Sequence, residues 1–374
     1  MRDVYNWVRS EQIGTITFLD SLDSLEGPNA PEQSWDVSEA QNGSVMGWTE
    51  MNEKTNLFDL FIAADGGVSA PENATALFEG YSNVQEINFN GAFHTENTTR
   101  MDSMFNGCSS LTELDVTNFN TSSVTDMSSM FGGCSNLTEL DVTNFNTSSI
   151  TSMNNMFSDC SGLTELDVSN FDTSSVTNMV SMFNGCSGLT ELDLSNFDTS
   201  SVTDTGGMFS ECSGLTELDV TNFDTSSVTD MAYMFNGCSS LTKLDVTNFD
   251  TSSVTDMRFM FSECSGLTEL DVTNFDTSSV TNMNGLFGSL ISGCSGLTEL
   301  DLSNFDTSSV TDMAYMFNGC SGLTELDLSN FDTSAVTSMI GMFNGVHDDI
   351  VLHYNPNTFV ILDGENWDML FDEF

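Results

Sequence analysis

One 26-residue phrase, repeated along the chain, decides what it can fold into. In the copy from Leu215 to Ser240 it reads LTELDVTNFDTSSVTDMAYMFNGCSS. Copies begin at Leu111, Leu137, Leu163, Leu189, Leu215, Leu241, Leu267, Leu297 and Leu323, and a degenerate one begins at Val84. One step is longer, by four residues around 288–291. A fixed period of this size belongs to stacked architectures. Each copy is then a supersecondary unit that buries its apolar face only against its neighbours.

The phrase changes rhythm halfway. Leu215, Leu218 and Val220 alternate with Glu217 and Asp219, which is strand patterning with the leucines inward. Val228, Met231, Met234, Phe235 and Cys238 then recur at steps of three, three, one and three, an apolar helical stripe. Ser227 followed by Asp230 resembles a capping box, and Gly237 is a stop signal. The expected fold is therefore an α/β repeat solenoid, with one short strand and one short helical turn per copy. L-x-x-L-x-L is similar to a leucine-rich repeat, which implies a right-handed stack. One departure stands out: Asn222 is the eighth residue of its copy and Phe223 the ninth, where the common form has asparagine ninth. A phenylalanine row from Phe119 to Phe331 is expected to replace the asparagine ladder, beside a second row from Phe105 to Phe343.

Four segments follow from the pattern. Residues 1–45 lack repeat character and carry Trp7, Phe18, Leu19 and Trp35, so they are expected to be an arm for attachment to virion or surface-layer structural proteins. Residues 46–83 are expected to cap the stack, since Leu77 to Tyr81 match the Met-Phe-x-Gly-Cys ending. Residues 84–348 form the solenoid, and 349–374 a C-terminal cap and acidic tail. Thr205, Gly206 and Gly207 break the methionine row and are expected to be a soft spot.

The phrases SNFDTSSVTDM and MFNGCSGLTELDLSNFDTS, with the flank Gly47-Trp48 and FIAADGGVSAPEN at 61–73, resemble the BspA-like leucine-rich-repeat surface proteins. The resemblance covers residues 45–348. It implies a surface-exposed adhesion or recognition module and no catalytic residues.

Charge narrows the partners. With 56 acidic residues against 6 basic ones the net charge is −50. Repulsion excludes nucleic acid and disfavours anionic membrane surfaces. Such a balance suits high salt, where like charges are screened, or serves solubility alone. Residues 1–24 hold no apolar run of signal-peptide length, and no stretch approaches the 18 apolar residues of a membrane span. Assembly into a virus particle and release by lysis is one route outside; an export segment missing from the sequence is the other.

The nine cysteines share one repeat position, and with no zinc-type spacing they are expected to be buried free thiols packed as small hydrophobes. Carboxylate pairs such as Glu217 and Asp219 recur in eight copies, so none offers the singular environment that acid–base catalysis needs. They are read as a solvated acidic face, with weak Ca2+ or Mg2+ binding as the second reading and no other cofactor. Specificity is expected where copies differ. Those places are Lys243 in the glutamate column, Tyr233, Arg258, Phe259 and Tyr315 after the repeated methionine, and Leu290 and Ile291 in the insertion. Aromatics and arginine are the types favoured at binding hot spots. The expected function is non-enzymatic recognition of a cell-surface protein or glycan, at a virion, cell-surface or extracellular location in a hypersaline setting. A purely structural virion or cell-wall component and a polysaccharide-acting enzyme are the rivals.

Overall fold

The computed structural model describes residues 9–28 and 30–362. Trp7 and the tail at 364–374 lie outside the described residues. The chain divides into two compact units, Met1–Phe171 and Asp172–Phe374. Its strands are β1 (Ile13–Leu19), β2 (Trp35–Asp36), β3 (Met46–Asn52), β4 (Leu57–Ala63), β5 (Val68–Ser69), β6 (Glu86–Asn88), β7 (Phe93–His94), β8 (Glu113–Leu114), β9 (Glu325–Leu328) and β10 (Val351–Tyr354).

The first unit opens with a six-stranded sheet in the order β2-β3-β4-β1-β6-β8. β1 lies between β4 and β6, parallel to both. This corrects the expected arm over residues 1–45. Ile13, Ile16 and Phe18 are buried, and both edges of β1 are hydrogen-bonded, so residues 13–19 are part of the core beneath this sheet. The apolar–polar alternation of IGTITFL drives this, because a strand with an apolar face gains most by pairing on both sides. Phe78 is stacked on Phe105, with centroids 5.4 Å apart, and so extends the second phenylalanine row by one step.

Both units are built from the same leucine-rich-repeat-like stacked copy. Leu215, Leu218 and Val220 are buried while Glu217 and Asp219 are exposed. Phe223 and Phe235 are buried, and the second phenylalanine row stacks nearly parallel, as Phe209–Phe235 does at 5.8 Å and 9°. The apolar stripe after Ser227 is a run of overlapping turns rather than an α-helix. Met234 N–H donates to Met231 O, Asn236 N–H to Tyr233 O and Cys238 N–H to Phe235 O, each three residues back. The alternate amides point along the stack instead: Met231, Tyr233, Phe235 and Gly237 donate to Asp256, Arg258, Met260 and Ser262 of the next copy. Of its six amides, a six-residue helix would satisfy only about two within itself, and it would carry an unfavourable nucleus. The turns spend half of them on the neighbour.

Asp230, expected in the capping box of a helix, caps a turn, and so does Asp219 of the expected strand. Asp230 Oδ1 accepts Ala232 N–H at 2.8 Å, and Asp219 Oδ1 accepts both Thr221 N–H and its hydroxyl. The asparagine ladder is also present, against expectation. Asn222 Nδ2 donates to Leu194 O and Phe197 O, both at 3.0 Å, and Asn248, Asn274, Asn304 and Asn330 repeat the arrangement. At the eighth position its amide still reaches the preceding copy's carbonyls, so phenylalanine and asparagine rows coexist. A threonine row runs alongside: Thr225 Oγ1 donates to Asp250 O at 2.9 Å and accepts Asp250 N–H at 2.8 Å. Among the described residues no helix is long and apolar enough to cross a membrane.

The nine thiols are free and buried. They are more than small hydrophobes. Cys238 Sγ donates to Phe209 O at 3.1 Å, and Cys212, Cys264 and Cys294 do the same one copy back. Burial pushes the Cys212 and Cys320 thiols up to about 12, so they remain protonated donors.

Candidate recognition surface

The variable pair after each repeated methionine sits on the turn side. Its second member has left-handed backbone in copy after copy: Ser129 (φ 56°), Ser181 (54°), Gly207 (61°), Tyr233 (60°), Phe259 (54°), Gly285 (59°) and Tyr315 (58°). That region is unfavourable for a bulky residue. Because Ser and Gly adopt it equally here, the strain belongs to the position, not to the aromatic ring. The ladder enforces it, since the amide of each of these seven residues is committed to the next copy.

This backbone lays the side chain over the following copy. A Cβ added to Gly285 would lie 2.3 Å from Phe259 Cε1, and one on Gly341 would lie 2.8 Å from Tyr315 Cε1. A ring at this position therefore needs a glycine, or another ring to stack on, in the next copy. Tyr233 has the second arrangement: it stacks on Phe259 with centroids 5.0 Å apart and planes at 22°. Arg258 Cζ lies 5.9 Å from the centre of the Tyr233 ring, and its Nη1 is 3.2 Å from Asp256 Oδ2. Tyr233, Arg258 and Phe259 thus form one aromatic–cationic cluster.

The other expected residues stand apart from it. Tyr315 covers Gly341 rather than Phe259. Lys243 lies on the strand side, 3.9 Å from Glu269, with both side chains mostly in solvent. Leu290 and Ile291 are 74% and 86% exposed at the tip of the insertion. Ser289 ties that loop down through bonds to Glu263 Oε1 and Ser292 O.

Sequence reasoning missed a cleft of about 360 Å3 beside the cluster, lined by Ser181, Asn184, Asp204, Gly207, Tyr233 and Arg258. Its signal was the pair Gly206 and Gly207, read as a soft spot. The backbone there is not soft: Gly207 N–H donates to Ala232 O at 2.7 Å and Phe209 N–H to Met234 O at 2.9 Å. Only side chains are missing. Asp204 at the cleft is held above the usual carboxylate range by burial, opposed by the Gly206 amide and reinforced by Asp230. Asp256 is also raised by burial, which the Arg258 amide and guanidinium partly offset.

The acidic strand face behaves differently. Asp219 and Asp245 are lowered by hydroxyl and then amide hydrogen bonds from Thr221 and Thr247. One oxygen of each is thereby engaged in a turn. Among the described residues no group of three or more His, Cys, Asp or Glu is placed to hold a metal ion.

Comparison with known proteins places the repeats. A family model described as "Mycoplasma protein of unknown function, DUF285" matches residues 72–187, 135–217, 214–298 and 268–348, together more than half of the chain. No curated protein matches. One similar solved structure is the functional domain of InlJ from Listeria monocytogenes, which includes a cysteine ladder. It is 21% identical over 73% of this chain, with a TM-score of 0.25, and the match spans 58% of that chain.

Proposed function

The chain belongs to the DUF285 family, and from that premise we propose that it is a non-enzymatic recognition or adhesion protein of the BspA-like kind. It works at a surface, outside the cell or on a virion, in a salty setting that screens its charge of −50. One observation carries the reading. Copies with nearly the same core differ at the outward pair after the repeated methionine, and there Tyr233 and Phe259 stack beside Arg258. Aromatic and arginine side chains desolvated together are what concentrates binding energy. The repeated carboxylates argue against catalysis, because each copy presents the same pair in the same turn.

The test replaces Tyr233, Phe259 and Tyr315 by Ser, the residue that Ser129 and Ser181 place in the same backbone conformation. Labelled wild-type and triple-variant proteins are compared for retention on a panel of intact microbial cells. We expect about tenfold weaker retention, roughly 1.4 kcal/mol, with an unchanged melting temperature. Equal retention of the two proteins by every cell type that binds the wild type would overturn the proposal.

A further inference from the structure

We infer that the cleft over Gly206 and Gly207 receives the side chain of a lysine presented by a partner protein. This rests on the recognition reading above and names the chemistry of one of its sites.

Shape comes first. The copy holding Gly206 and Gly207 offers no side chains where its neighbours carry Val180 and Ser181 on one side and Ala232 and Tyr233 on the other. The backbones of those neighbours are two stacking steps apart, roughly 10 Å. What remains is a trough about one side chain wide, walled by Ser181 and Asn184 and by the Tyr233 ring. An unbranched alkyl stem fits such a slot, and an aromatic wall suits both its methylenes and a terminal cation.

Charge comes second. Asp204 and Asp230 occupy equivalent positions in successive copies and both line the cleft. The other aspartates at that position have a side-chain partner: Asp126 meets Arg100 at 2.8 Å, Asp256 meets Arg258 at 3.2 Å, and Asp312 accepts Asn284 Nδ2 at 3.1 Å. Asp204 and Asp230 have none among the described residues. Each commits Oδ1 to a backbone amide, Gly206 N–H at 3.0 Å and Ala232 N–H at 2.8 Å. Each therefore keeps one oxygen, Oδ2, for a ligand.

That count selects between cations. A guanidinium binds best as a fork, two N–H groups on the two oxygens of one carboxylate. Neither carboxylate has two free oxygens. An ammonium is a compact charge with three donors, and it can bridge two single oxygens from neighbouring copies. Arg258 at the rim repels both alike, but its own carboxylate partner is Asp256. A partly buried Asp204 without a counter-ion gains most from such a ligand.

The test titrates the tripeptide Ac-Gly-Lys-Gly-NH2 into the whole protein in about 1 M KCl, where diffuse attraction is screened within about 3 Å. Saturation-transfer NMR follows it, beside the arginine peptide, the Nε-acetyl-lysine peptide and a neutral glucose trimer. We expect the lysine peptide to bind about tenfold tighter than the other three. Asp204→Asn with Asp230→Asn should weaken it about tenfold or more, and asparagine is native to this position at Asn178 and Asn282. Gly207→Ser, which fills the trough, should do the same with no change in charge. Asp219→Asn with Asp245→Asn removes equal charge from the strand side and should leave binding within about twofold. Equal loss in that control, equal binding of the arginine peptide, or preference for the glucose trimer would each overturn the assignment. If the lysine peptide fails to bind while the aromatic triple variant still loses cell retention, recognition stands and lysine falls. If the peptide binds but the triple variant keeps its retention, the recognition role of the aromatic residues falls.

Discussion

The two sides of a copy are joined to their neighbours by different means. On the turn side the backbone does it: Met231, Tyr233, Phe235 and Gly237 each send an amide to the next copy. On the strand side the regular ladder is sparse, with Thr216 N–H to Thr190 O at 3.2 Å as one of its rungs. There, side chains of Asn222 and Thr225 reach across instead. Where the backbone supplies the joint, the outward side chains are released to vary. Where side chains supply it, they are fixed. This is why Asn222 and Thr225 recur almost unchanged while Ala232 and Tyr233 become Asn, Gly, Arg or Phe in other copies.

The comparison breaks most sharply at the threonine row. Thr225→Val keeps the shape but strips Asp250 N–H and Asp250 O of their partner. With two backbone groups losing their partner in a part-buried site, we expect a loss of about 1–3 kcal/mol by denaturant melts. A loss no larger than that of the aromatic triple variant would erase the distinction between the two sides.

A smaller effect sharpens it at the cysteines. Cys238→Ala removes a donor from Phe209 O, whereas Cys238→Ser retains one. The alanine variant should lose about 1–2 kcal/mol, and the serine variant should melt at or above it. Had the thiol served only as a hydrophobe, serine would be the worse substitution.

The weakest effects per residue, summed over many copies, come from the acidic turns. Carboxylates such as Asp219, Asp245 and Asp276 are lowered by hydroxyl and amide bonds present only in the fold. A depressed folded pKa means stability that is present above the unfolded value, near 3.9, and lost as pH falls through the folded one. Asp204 and Asp256, raised by burial, act with the opposite sign. In about 2 M KCl, with repulsion screened, the melting temperature should fall from pH 5 to pH 2. A flat or rising profile there would deny the turns their role. At pH 7 the same melts should climb from about 0.1 to about 3 M KCl as the charge columns are screened, and a flat curve would remove the case for a saline habitat.

The inward residues were legible because burial depends on apolar spacing, and Leu215, Met231 and Phe235 declare themselves by period alone. The destination of the amides was not. Steps of three, three, one and three satisfy a helix and a run of turns equally well, and nothing in the side chains says whether Tyr233 N–H bonds inward or onward. Thr225 looked like loop polarity because a buried hydroxyl with two backbone partners resembles an exposed one in composition. β1 was overlooked because a single strand before an irregular segment has no repeat to mark it. The cleft was visible only as an absence, Gly206 and Gly207, whose meaning depends on Tyr233 beside them.

The rule that each outward ring lies over a glycine or another ring has a consequence for how such genes change. Copies are joined only to their neighbours, and their interiors are interchangeable. Unequal recombination that gains or loses 26 residues therefore preserves the interior wherever its breakpoints fall, but not the exterior. A breakpoint between Phe259 and Gly285 would deliver Phe259 onto whatever side chain heads the incoming copy, where Gly285 now leaves 2.3 Å for a Cβ. Ring and glycine would therefore have to move as one cassette two copies long, which leaves the length of the protein freer to change than the order of its surface.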